Sequence, residues 1–131
     1  MSLTISISPN EVTTMVRIVE EFLKEIRLNN EKLASNETEK KARNAQLDQF
    51  VYNAINEVIA KNNTYRMKNP SANMDGLFDM QFSKGNAEIY KDSITAFLNQ
   101  VKNTEIEDTH PEYIARSKRV LEAFENSISD Q

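Results

Sequence analysis

Ser8-Pro9-Asn10-Glu11-Val12, at the head of the stretch Ser8–Leu33, reads as a helix start at every position. The Ser8 hydroxyl suits an N-cap, where it accepts a hydrogen bond from an N–H two or three residues on. Pro9 then falls at the first helical position, where its missing N–H costs nothing and its fixed φ fits. Glu11 completes a capping box by reaching back to the cap N–H, and Ile7 and Val12 flank the cap as a hydrophobic staple. Beyond it, Val12, Met15, Val19, Phe22, Ile26 and Leu33 follow a heptad, with Asn29 at the remaining core-facing position. Val16 and Leu23 widen the stripe, and Ile18 and Leu28 extend it around the cylinder. A stripe this wide is what a bundle helix buries, in contrast to the narrow seam of a free coiled coil. Arg17, Glu21, Lys24, Glu25 and Lys32 make the opposite face polar. Asn29, beside Asn30, is expected to meet water.

Working outward, Thr4-Ile5-Ser6-Ile7-Ser8 alternates polar and apolar, a short strand signal with no obvious partner. The expectation is an extended lead-in whose Ile7 staples the first helix. Downstream, Ser35–Glu39 interrupts the stripe, and Asn36 with Glu39 repeats the capping-box spacing. A second helix is expected over about 37–62, burying Leu47, Phe50, Val51, Ala54, Ile55, Val58 and Ile59; one continuous helix from Pro9 to Asn62 is the alternative. Asn63–Gly76 reads as a loop, with turn signals at Asn69-Pro70-Ser71 and Asp75-Gly76.

The next segment admits two readings. Phe78, Met80 and Phe82 alternate as in a strand, while Met74, Leu77, Phe78 and Phe82 also share one helical face. In a chain otherwise helical, a short helix over about 72–84 is expected, stopped near Gly85 by positive φ. Further helices are expected over 86–103, with Ile89, Tyr90, Ile94, Phe97, Leu98 and Val101 inward, and over 109–128. The last opens on Thr109-His110-Pro111-Glu112 and buries Tyr113, Ile114, Val120, Leu121, Phe124 and Ile128. The expected fold is all-α: an antiparallel four-helix bundle, with a short extra helix between helices 2 and 3, in a single domain over 1–131.

Composition agrees with that class. The 131 residues include two glycines and three prolines, too few for a turn-rich β protein. The absence of cysteine excludes disulfides, thiol catalysis and cysteine-ligated metal. No apolar run reaches the length of a membrane span, and no basic-then-apolar leader opens the chain, so no membrane association and a cytoplasmic location are expected. A formal charge of −4 disfavours a dedicated nucleic-acid binder, because phosphate neutralisation dominates such affinity.

Catalytic constellations are not assembled in this sequence. Glu107-Asp108-Thr109-His110 has the Glu-x-x-His spacing of carboxylate metal sites in bundles, but it has no second copy and Pro111 places Glu107 before the helix. The lone histidine would have to serve any His-based triad, and no glycine-rich phosphate loop is present. A non-enzymatic protein-interaction module without cofactor is expected, an adaptor, chaperone or immunity-like accessory protein that binds a partner or a second copy. Met67, Met74, Leu77, Phe78, Met80 and Phe82 are its candidate binding residues, since methionines and aromatics beside a loop suit an adaptable groove. The alternative is a nucleic-acid-associated protein using Lys61, Tyr65, Arg66 and Lys68, which combine positive charge with a ring that can stack on a base.

Overall fold

Alternation at the head of the chain finds its partner far along the sequence. In the computed structural model, which describes residues 2–130, Ser2–Ile7 is a strand, β1, paired antiparallel with a second strand, β2, at Phe78–Ser83. The register sets Leu3 opposite Phe82, Ile5 opposite Met80 and Ile7 opposite Phe78, so all six apolar side chains share one face. Thr4, Ser6, Asp79 and Gln81 take the exposed face, where the Ser6 hydroxyl donates to the Asp79 carboxylate at 2.9 Å.

Between the strands run two helices, α1 at Pro9–Glu31 and α2 at Thr38–Lys68. After β2 come α3 at Lys84–Val101, the short α4 at Glu105–Thr109 and α5 at Pro111–Ser129. The α1 start is as its sequence dictates: the Ser8 hydroxyl accepts from the Glu11 N–H, and the Glu11 carboxylate accepts from the Ser8 N–H at 2.9 Å. The chain breaks between α1 and α2, so the single continuous helix does not form.

Three expectations are corrected. The fold is not all-α, because the 77–82 segment resolves its two periodicities as strand: β1 supplies backbone partners that a helix there would forgo. The expected helix over 72–84 is replaced by turns around Asn69–Gly76 followed by β2, and Gly85 has no positive φ but sits in the first turn of α3, capped by Ser83. Gly76 is the more tightly placed glycine, since a Cβ there would lie 3.1 Å from the Asn73 carbonyl oxygen and the turn would have to give by a few tenths of an ångström. Nor do the helices close a four-helix bundle. α1 is the shared element, packing on α2, α3 and α5, whereas α2 forms a hairpin with α1 and has little contact with α3.

One apolar cluster joins the strands to α1, α2, α3 and α5. Leu3, Ile5 and Ile7 are each at most 1% exposed, and burying such side chains stabilises by about 1.5–3 kcal/mol apiece. At its centre Phe82 meets Phe124 edge-on at 5.1 Å and Tyr90 at 5.8 Å between ring centroids. α2 gives this core only Val51, Ala54, Ile55 and Val58; its expected stripe members Leu47, Phe50 and Ile59 are exposed.

Tyr90 carries a pH dependence. Its hydroxyl donates to the Ala54 carbonyl at 2.9 Å. Burial pushes the phenol well above the ordinary tyrosine range, with Glu57 adding to the shift. The folded state therefore holds a proton that the unfolded chain releases, so this contribution is complete below about pH 10 and falls as pH rises beyond it. Tyr90→Phe should cost about 1 kcal/mol near neutrality through the lost hydrogen bond. It should also flatten the alkaline loss of stability. Urea unfolding at neutral and alkaline pH checks both, and an unchanged alkaline slope would refute the assignment.

Candidate docking groove

α1 presents Ile18 and Phe22 toward α3, and α3 answers with Ala96 and Phe97. Tyr113, near the start of α5, closes the floor, its ring edge-on to Phe97 at 5.6 Å between centroids. These side chains line a groove of about 480 Å³, within the usual range for binding cavities. Glu20, Glu21, Glu25 and Asp92 surround it with negative charge, against one lining cation, Arg17. Burial raises the Tyr113 phenol, Arg17 acts to lower it and Glu21 to raise it. Ser93 also lines the groove; it is 7% exposed, and its hydroxyl has no hydrogen-bond partner among the described residues.

The residues singled out from sequence lie elsewhere. Met80 and Phe82 are core, each 2% exposed, so a docking partner does not reach them while the fold is intact. Phe78 is half-buried, its ring stacked on Tyr65 with centroids 3.9 Å apart. Leu77 is exposed, and Met67 more so at 83%. Met67 and Met74 line a second cavity of about 490 Å³ with Tyr65 and Arg66, at the C-terminal end of α2. That end is helix where a loop was expected after Asn62: Tyr65, Arg66 and Lys68 belong to α2, as Lys61 does. Lys61 donates to the Gln81 carbonyl and pairs with Glu57. Arg66 and Lys68 stand in the last turn, where cations complement the helix dipole. The Tyr65 face stacked on Phe78 is closed to a nucleobase.

His110 caps the end of α4 and the start of α5, exposed, with Nδ1 2.8 Å from the Thr109 hydroxyl. Glu107 instead accepts from the Asn103 N–H at 2.7 Å, supporting the one non-glycine residue with positive φ among those described. No group of three or more His, Asp or Glu side chains positioned to hold a metal ion occurs among the described residues, and none of their helices is long and apolar enough to cross a membrane.

Of the groove residues, Phe22, Phe97 and Tyr113 were expected as buried stripe and Arg17, Glu21 and Glu25 as a solvated face. The signal in the sequence was Ile18, which with Leu28 extends the α1 stripe around the cylinder.

No family model matches this chain, and neither a curated protein nor a solved structure shows a match to it.

Proposed function

We propose that this chain is a non-enzymatic helical protein-interaction module, an adaptor, chaperone or immunity-like accessory protein. The observation that supports this reading is the groove between α1 and α3, an apolar floor with a charged border on two long helices. Rigid elements hold such a floor open without cost at the moment of binding, which favours recognition. Capture from a lysate through a C-terminal tag, with and without nuclease, tests it. The expected result is a stoichiometric protein partner that survives nuclease. Partners lost with nuclease would move the reading to nucleic acid, and an empty capture would overturn it.

A further inference from the structure

We propose that the groove takes a cationic amphipathic helix of a partner protein, an assignment that rests on the interaction reading above. Length supports a helical occupant. The lining runs from Arg17 to Glu25 on α1 and from Asp92 to Gln100 on α3, about 12 Å along each axis at 1.5 Å per residue. Two turns of an incoming helix span the same distance, so apolar anchors at i, i+3 or i+4, and i+7 fill the floor over Phe22 and Phe97.

Charge selects the sign of that helix. Glu21 and Glu25 stand one turn apart beside the floor, and Asp92 borders it from α3. Lysines or arginines on the incoming helix, one turn apart and flanking its anchors, meet this ladder. Lys24 pairs with Glu21 at 3.0 Å, but both side chains are highly exposed, and such a pair yields readily to a competing cation. The same carboxylates repel nucleic-acid phosphates and anionic lipid.

A second copy of this chain is the competing occupant, because α2 carries Lys40, Lys41 and Arg43 ahead of the exposed Leu47 and Phe50. A wild-type dimer formed through this face is therefore one of the outcomes that the test separates.

The test uses the full chain and a synthetic helix of about 18 residues, with leucine at the anchor spacing and lysine elsewhere. Its counterpart carries glutamate for every lysine. Calorimetric titration should show the lysine peptide binding at low salt and weakening as salt rises. Glu21→Lys/Glu25→Lys, changes at exposed positions that should leave helix content intact by circular dichroism, should weaken it about tenfold and admit the glutamate peptide instead. Amide NMR shifts should centre on 17–25 and 92–100. Absent binding, equal binding of both peptides, indifference to the charge reversal, shifts centred elsewhere, or a wild-type dimer formed through this face would each overturn the assignment. If the double variant captures the same nuclease-resistant lysate partner as wild type, the interaction reading stands and the groove assignment falls. An empty capture by wild type fails the interaction reading itself, whatever the peptides do.

Discussion

Phe82→Ala should cost about 3–5 kcal/mol, the range for removing a buried aromatic ring. A domain is stable by only about 5–15 kcal/mol, so the loss is a large share of the whole. Phe82 is 2% exposed, stands opposite Leu3 in the strand register, and touches the rings of Tyr90 on α3 and Phe124 on α5. Truncation opens a cavity lined by three separate elements, none of which can close it without dragging the others. Two costs therefore add, the lost transfer of the ring and the unfilled space. Equilibrium urea unfolding followed by circular dichroism measures it. Phe124→Ala and the double variant extend the test to the aromatic contact, which should contribute a coupling of about 0.5–1.5 kcal/mol. A loss below about 1 kcal/mol would show that the site collapses and that the strand is not anchored as described. Met67→Ser, at a position 83% exposed, should stay within about 0.5 kcal/mol of wild type.

That contrast explains what the sequence could and could not disclose. The start of α1 was legible because every group that decides it lies within five residues of Ser8. The strands were not, although each alternation was visible alone. Ser6 and Asp79 touch across a separation of 73 residues, and no local pattern says that Thr4–Ser8 and Phe78–Phe82 are partners. Without β1, the 77–82 stretch has two periodicities and no arbiter; with it, Met80 and Phe82 leave the surface for the core. The end of α2 was misplaced for a different reason. Its apolar spacing stops at Ile59, but nothing after that breaks a helix until Pro70, and Arg66 and Lys68 favour its final turn. Periodicity marks the part of a helix that is buried, and α2 continues beyond the part that packs.

The candidate groove was hidden by the same limit. Phe22, Phe97 and Tyr113 were legible as inward-facing and Ile18 as an extension of the stripe around α1, and each does turn toward neighbouring helices. Whether such a residue is sealed or left lining a cleft depends on how closely α1 and α3 approach, a property of the pair and not of either helix. Glu21 and Glu25 were legible as a solvated face. Their position at the edge of an apolar floor became visible only when α3 brought Phe97 and Asp92 alongside.

Arg119→Met should cost about 2–3 kcal/mol, and Glu11→Gln added to it should restore much of the loss. Arg119 joins three elements. Its guanidinium donates to both carboxylate oxygens of Glu11 on α1, through Nε and Nη2, and Nη2 also donates to the Ser6 carbonyl of β1 at 2.7 Å. The Glu11 side chain is only 7% exposed, whereas that of Arg119 is 40% exposed. Removing the cation thus leaves a buried carboxylate whose remaining bond is to the Ser8 N–H. Breaking a buried pair from one side costs about 3–5 kcal/mol when both partners are sealed, and the exposure of Arg119 places this case lower. The methionine keeps most of the apolar stem in place, so lost packing contributes little. Glu11→Gln retains an oxygen to accept from the Ser8 N–H and so preserves the cap while removing the charge. Rescue by the second substitution would separate the penalty of an unpaired charge from the net worth of the pair. If the double variant is no more stable than Arg119→Met alone in urea unfolding, the loss belongs to the bond with the Ser6 carbonyl, and the role of Arg119 is to fasten β1 to α5.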